Sequence, residues 1–114
     1  MSMNELDQVL LTRCLESQPR GWEDFVDRFL GLVVHVIDHT VQVRDLLIDA
    51  EQRDRICEDV FVILHHDSFR LLHEYDGQCS LTTYMTIIAR RIVVRLLLNR
   101  NATAIATTTR RTAA

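Results

Sequence analysis

Nine apolar residues between positions 81 and 97 recur at helical spacing, and this pattern constrains the fold more than any other part of the chain. Because an α-helix turns once in 3.6 residues, the spacing places all nine on one face. Ser80 comes directly before them and is a favoured N-cap residue. The segment therefore predicts a long helix with one apolar face, made of Leu81, Tyr84, Met85, Ile88, Ala89, Ile92, Val93, Leu96 and Leu97.

Three further stretches of the chain have helical apolar spacing. Pro19 separates the first two of them, because proline cannot continue a helix. Residues 40–53 lack a clear period and predict a connection with some helix. Gly77 lies in a polar turn at 75–79, where a positive φ is expected. The sequence predicts an all-α fold, a compact bundle of about four helices at 4–16, 22–39, 54–72 and after Ser80.

Length and composition exclude several classes of protein. The 114 residues have room for one core, which we expect to cover residues 1–101, with an Ala/Thr-rich segment at 102–114 that is frayed or disordered. The longest apolar runs are too short to span a membrane. The three cysteines form no C-x-x-C pair, and the first residues lack the apolar region of a signal peptide. A cytoplasmic setting is therefore expected.

The charges are divided unevenly along the chain. All 16 acidic residues lie between Glu5 and Asp76, together with seven arginines, so this part has a net charge of −9. The remaining residues contain six arginines and no acid, a net charge of +6. Lysine is absent, and arginine favours paired hydrogen bonds to phosphate. The codon usage of a GC-rich genome is an equally good explanation for the choice of arginine over lysine. The pattern indicates a polyanion-binding element at the C-terminal end of an acidic domain.

The sequence contains no recognisable catalytic motif. No nucleophile elbow and no glycine-rich phosphate loop occurs, so we expect neither an enzyme nor a small-molecule substrate. The helices carry two histidine groups, but Glu-x-x-His pairs of the kind found in di-iron bundles are absent. We therefore expect no metal and no cofactor, and a His-lined metal-binding bundle is the weakest alternative. The histidines are His35 and His39 in one group, and His65, His66 and His73 in the other.

Three segments resemble region 2 of bacterial RNA polymerase sigma factors, especially the extracytoplasmic-function group. They are WEDFVDRF at 22–29, EDVFVIL at 58–64 and YDGQCSLTTYMTIIARR at 75–91. The third segment is the most specific, because a turn, a helix cap, an aromatic residue and Ile-Ala-Arg stand in register. Four residues depart from the usual pattern of that family, and the last two of them add positive charge to the final helix. The departures are Arg55 for Asp, Tyr84 for Trp, Arg91 for Asn and Arg95 for Asp.

The resemblance implies a fold and two binding surfaces. Region 2 of a sigma factor is a helical domain that binds the clamp of the largest polymerase subunit and melts the −10 element of promoter DNA. The residues that the resemblance assigns to polymerase binding are Asp54, Glu58, Asp59, Phe61 and Val62. Those that it assigns to DNA are Gln78, Ser80, Thr83, Tyr84, Arg90, Arg91, Arg95, Asn99 and Arg100.

The expected function is therefore a DNA-binding transcription initiation factor, with an anti-sigma factor as a further candidate partner. Tyr84 lies on the apolar face, which favours core packing over a role in holding a base. The polymerase-binding residues also fit an ordinary amphipathic helix with a solvated side, because Phe61 and Val62 lie off its main apolar stripe. The alternative is a helical protein–protein interaction module, anti-sigma-like or an adaptor, that binds no nucleic acid.

Overall fold

The computed structural model describes residues 5–113, with side chains for residues 5–99. Over this range the chain forms four helices joined by short connections, which confirms the predicted all-α bundle. Arg100, one of the expected DNA contacts, lies outside the described side chains, and the expectation for 102–114 stays a prediction. The helices are α1 (Glu5–Leu15), α2 (Gly21–Val43), α3 (Ala50–His73) and α4 (Leu81–Ala113).

The helices α1 and α2 approach closely where they are joined. Gly21 opens α2 so near to α1 that a Cβ there would lie 2.5 Å from the carbonyl oxygen of Arg13. Only glycine fits this approach. The guanidinium of Arg13 donates a hydrogen bond to the carbonyl of Pro19 at 3.0 Å and pairs with Asp24 at 2.9 Å. These contacts hold the turn that the proline begins.

The connection between α2 and α3 is shorter than the sequence predicts. α2 continues to Val43 and α3 begins at Ala50, so most of the predicted connection at 40–53 is helical. Asp49 caps α3, since its carboxylate accepts a hydrogen bond from the backbone N–H of Gln52 at 2.7 Å. The Gln52 side chain in turn accepts from the backbone N–H of Asp49 at 2.9 Å. This capping box starts the helix well before its first large apolar residue, so a search for apolar spacing does not detect the first turn.

A left-handed turn interrupts α3 near its end, and the apolar spacing does not predict it. Asp67, Ser68 and Phe69 have φ values of 57°, 54° and 64°. Residues other than glycine adopt this conformation at a cost of about 1–2 kcal/mol each. The turn directs Phe69 into the core, where its ring centroid lies 5.5 Å from that of Trp22. Burial of this ring offsets part of the cost.

The turn before α4 has the predicted conformation. Gly77 has a φ of 79°. The carboxylate of Asp76 accepts a hydrogen bond from the backbone N–H of Gln78 at 3.0 Å. The hydroxyl of Ser80 accepts one from the backbone N–H of Thr83 at 3.0 Å, which confirms Ser80 as the N-cap.

The apolar face of α4 is buried in the core, as its spacing predicts. α4 packs mainly against α2, whose Phe25, Phe29 and Val33 are fully buried. Two residues of the predicted face, Tyr84 and Leu96, are only half-buried. The buried residues of α4 are Leu81, Met85, Ile88, Ala89, Ile92, Val93 and Leu97.

Arg28 connects three of the helices. Its Nε donates a hydrogen bond to the carboxylate of Asp7 at 3.1 Å, and a terminal nitrogen donates to the Thr82 hydroxyl at 3.4 Å. The Asp7 side chain is only 6% exposed, whereas that of Arg28 is 42% exposed. The guanidinium of Arg28 also lies 4.7 Å from the ring centroid of Phe29. These contacts orient the start of α4 against α1 and α2.

Candidate functional site

The outward side of α4 carries positive charge alone and is named here the arginine face. Arg90, Arg91 and Arg95 are all exposed. None of the ion pairs between described side chains includes any of the three. The sequence has no acidic residue after Asp76 that could pair with them along the helix. Three guanidiniums on one rigid helix are therefore open to a negatively charged partner.

An apolar stripe runs along the middle of the arginine face. Ile87 and Leu98 are 42% and 52% exposed, and Val94 is half-buried between them. At about 100° per residue, these three side chains project within ~40° of one another, with arginines on both sides. The stripe is hard to see in the sequence, because the stronger apolar period on the core side of α4 overlaps it.

The polar residues expected to contact DNA are spread along α4. Ser80 and Thr83 are engaged with each other, since the Ser80 hydroxyl donates to the Thr83 hydroxyl oxygen at 2.8 Å. Both hydroxyls are therefore already used in the cap of α4. Gln78 is exposed before α4, and Asn99 is exposed about five turns further along the helix. The structure thus brings Asn99 together with the arginines, with which it lines two shallow cavities, but leaves the other three polar residues at the start of the helix.

A narrow groove separates the arginine face from the end of α3, and it is named here the tyrosine groove. Its volume is about 290 Å³, and its walls include Leu71, Glu74, Tyr84, Arg91 and Arg95. The Tyr84 hydroxyl donates a hydrogen bond to the carbonyl of Leu71 at 2.6 Å, which holds the ring in place. Tyr84 therefore packs against the core with one side and lines the groove with the other.

The charges around the tyrosine groove leave Tyr84 neutral. Burial raises the pKa of the Tyr84 hydroxyl, the charge of Glu74 raises it further, and Arg91 acts in the opposite direction. The hydroxyl therefore keeps its proton at neutral pH and remains a hydrogen-bond donor. Glu74 pairs with Arg70 at 3.5 Å. The sequence does not predict that Glu74 lies beside Arg91 and Arg95, because that position depends on how the end of α3 packs against α4.

A wider groove lies between α2 and α3 and is named here the acidic groove. Its volume is about 640 Å³. Val26 and Leu30 of α2 and Val62 of α3 supply apolar walls, while Asp54 and Glu58 supply negative charge. Val62 is 63% exposed and Leu30 is 44% exposed, and because both line this groove they form one apolar patch rather than scattered surface residues. The groove therefore offers open apolar surface bordered by carboxylates.

The structure divides the five expected polymerase contacts between the surface and the core. Asp54, Glu58 and Val62 are exposed along one side of α3, and Asp59 is half-buried. Phe61 is only 7% exposed. The sequence interpretation that Phe61 lies off the apolar stripe is therefore wrong, because the buried side of α3 is broader than its spacing suggests.

The floor of the acidic groove consists of core residues. The ring of Phe61 meets that of Trp22 edge to face, with the centroids 6.1 Å apart. Cys57 also lines the groove. Burial raises the pKa of the Cys57 thiol, and Asp54 raises it further, so the thiol stays protonated and unreactive at neutral pH. A partner in this groove would meet a rigid apolar floor.

The histidines do not form a metal centre in the described part of the chain. The rings of His35 and His39 stack on the exposed side of α2, with centroids 6.2 Å apart. His65 packs against Trp22 at 5.1 Å between ring centroids. Among residues 5–99, no group of three or more His, Cys, Asp or Glu side chains is placed to hold a metal ion.

Comparisons with protein-family models, with curated proteins and with solved structures found no match to this chain. Of the helices that the structure describes, none combines the length and the apolar character needed to cross a bilayer. A function is therefore inferred from the residues of the chain and their arrangement.

Proposed function

We propose that this protein is a transcription initiation factor of the sigma region 2 type, which binds RNA polymerase and the −10 element of promoter DNA. The observation that carries the proposal is the arginine face, where Arg90, Arg91 and Arg95 stand exposed on one helix beside the tyrosine groove. The resemblance of three sequence segments to sigma region 2 is the reason for assigning this face to promoter DNA.

Opened promoter DNA presents phosphates and unstacked bases, and this side of the molecule has a group suited to each. A guanidinium holds a phosphate through two parallel hydrogen bonds. Tyr84 offers an aromatic ring at the edge of the arginine face, and stacking of one base is worth about 1–3 kcal/mol. Single-stranded DNA is therefore a better ligand than duplex DNA, whose bases are not free to enter the tyrosine groove.

The acidic groove is the proposed contact with RNA polymerase. The exposed Leu30 and Val62 give it an apolar centre, and Asp54 and Glu58 give it a charged rim, which is the usual composition of a protein–protein interface. The acidic part of the chain repels DNA. Docking on polymerase therefore lets the arginine face meet the promoter strand despite that repulsion.

The first prediction concerns the double variant Arg91→Ala with Arg95→Ala. In complex with polymerase, it should bind a single-stranded non-template oligonucleotide, randomised at the −10 positions, about tenfold more weakly than the unmodified protein. The slope of log affinity against log salt should become shallower by about 1.4, because each lost phosphate contact on a single strand contributes about 0.7. Fluorescence anisotropy across a salt series measures both quantities.

The matched control is Arg44→Ala with Arg55→Ala. These two arginines are exposed near the end of α2 and the start of α3, so the control removes the same charge from another place. The control should bind the oligonucleotide as the unmodified protein does. An equal loss in both double variants would show that net charge alone matters, and no loss in the α4 variant would exclude the arginine face as the DNA contact.

The second prediction concerns Glu58→Arg in the acidic groove. This change should weaken binding to RNA polymerase at least tenfold, because it reverses the charge at the rim of the apolar surface. Glu16→Arg on α1 is the matched control, since Glu16 is exposed and lies outside the groove. If both variants bind polymerase equally well, the acidic groove is not the docking surface.

A second candidate function is a helical protein-interaction module that binds no nucleic acid. The exposed apolar walls of the acidic groove favour it. Under this function the unmodified protein would bind a protein partner through the groove, and no oligonucleotide signal would appear with polymerase at any salt concentration. The anisotropy series on the unmodified protein therefore separates the two functions.

A further inference from the structure

We propose that the protein associates with itself head to tail, with the arginine face of one copy seated in the acidic groove of a second copy. The two surfaces belong to one chain, carry opposite charge and each have an apolar strip at the centre. This inference goes beyond the proposed function and does not depend on it.

The arginine face has more exposed apolar surface than phosphate binding can use. Ile87 and Leu98 are 42% and 52% exposed, and a phosphate backbone offers them no apolar contact. Arg90 flanks their stripe on one side, and Arg91 and Arg95 flank it on the other. An apolar stripe between cations on a helix is suited to an apolar groove between carboxylates.

The acidic groove has the complementary form. Its apolar walls carry the exposed Leu30 and Val62, and Asp54 and Glu58 lie one turn apart on α3 beside them. The guanidiniums that flank the stripe of α4 can therefore meet carboxylates while the apolar side chains meet the walls. Like charge would prevent the two other pairings, groove with groove and face with face.

The lengths of the two surfaces also agree. The lining of the groove extends along α2 from Trp22 to Val34, a distance of about 18 Å at 1.5 Å per residue. On α4, the stripe extends from Ile87 to Leu98, a distance of about 16 Å by the same measure. About three turns of the helix can therefore lie along the groove.

The association should be weak and sensitive to salt. A single helix in a groove buries less than a standard protein interface, which places it among transient contacts. The ion pairs at the rim are exposed, and at about 0.5 M salt the Debye length falls to ~4 Å, so their attraction is then largely screened. Sedimentation velocity on the full chain should show concentration-dependent association at about 0.05 M salt and much less at about 0.5 M.

The decisive test uses two charge-reversal variants, separately and mixed. The groove variant is Asp54→Arg with Glu58→Arg, and the face variant is Arg91→Glu with Arg95→Glu. Each variant alone should sediment as a monomer, because its groove and its face then carry the same charge. An equimolar mixture should associate again, since the positive groove of one variant accepts the negative face of the other.

A matched pair of neutral variants tests the apolar contribution without changing charge. Leu98→Ser should weaken self-association at least fivefold. Leu47→Ser should leave it unchanged, since Leu47 is 98% exposed in the connection between α2 and α3, outside both surfaces. Circular dichroism of every variant shows whether its helices are intact.

Three results would overturn the proposal. They are a monomeric unmodified protein at low salt, a mixture of the charge-reversal variants that stays monomeric although both are folded, and equal association of the Leu98 and Leu47 variants. None of these results bears on binding to polymerase or DNA, so the proposed function is tested separately.

Discussion

The acidic groove and the arginine face have similar parts, an apolar strip with charges beside it, but they relate to the core in opposite ways. The floor of the acidic groove is the core itself, where Phe61 packs against Trp22. The arginine face lies on the far side of α4 from the fully buried Met85, Ala89 and Val93. A change in the groove floor therefore alters both binding and stability, whereas a change in the arginine face alters binding alone.

The two surfaces also differ in how they are assembled. The acidic groove needs side chains from two helices at a set distance from each other. The arginine face needs one continuous helix, and its residues would stand on one side of α4 in any fold that kept that helix. The groove is therefore sensitive to tertiary packing, and the face is sensitive only to the integrity of α4.

The largest effect that this comparison predicts is for Phe61→Ala. Removing a ring that is 7% exposed should lower the free energy of unfolding by about 3 kcal/mol, through lost burial and a cavity beneath the groove. Val62→Ala, its neighbour at 63% exposure, should change it by less than about 0.5 kcal/mol. Urea unfolding followed by circular dichroism measures both. Similar losses for the two variants would mean that the groove floor is not part of the core.

A medium effect is predicted for Arg28→Ala, which separates structural arginines from those of the arginine face. The change leaves the Asp7 carboxylate, 6% exposed, without its charged partner and should cost about 1–2 kcal/mol of stability. Arg91→Ala should cost less than about 0.5 kcal/mol, because Arg91 is exposed and has no ion pair among the described side chains. Equal costs in urea unfolding would contradict the division between the two kinds of arginine.

The smallest effects are predicted in two turns, the one before α4 and the left-handed turn within α3, and they should have opposite signs. Gly77→Ala should lower stability by about 1 kcal/mol, because a φ of 79° is strained for alanine although nothing lies within 4 Å of the added Cβ. Ser68→Gly should raise stability by about 0.5 kcal/mol, because it removes strain at a φ of 54°.

Both changes can be followed by thermal unfolding under the same conditions. A loss of stability on Ser68→Gly would show that the left-handed turn in α3 is held by contacts of the serine hydroxyl rather than tolerated at a cost. A neutral Gly77→Ala would show that the turn before α4 adjusts its backbone without strain.

The sequence pattern predicted those parts of the fold that depend on neighbours along one helix. The apolar period of α4, its cap at Ser80 and the positive φ of Gly77 all follow from local rules. The exposure of Arg90, Arg91 and Arg95 follows as well, since residues off an apolar stripe face away from the core. These features need no knowledge of where the other helices lie.

The pattern could not predict features that depend on distant residues. The left-handed turn at 67–69 exists because Phe69 reaches Trp22 from another helix, and no local rule favours three such residues in succession. Glu74 lies in the tyrosine groove, and Phe61 in the floor of the acidic groove, because each packs against a helix that is distant in the sequence.

The sequence by itself thus determined the helical class, the long final helix and the separation of negative from positive charge along the chain. Only the tertiary structure decided which apolar residues remain exposed, and so which charges acquire an apolar strip beside them. The physical reason is that periodicity is a property of one helix, whereas burial is shared between helices that meet.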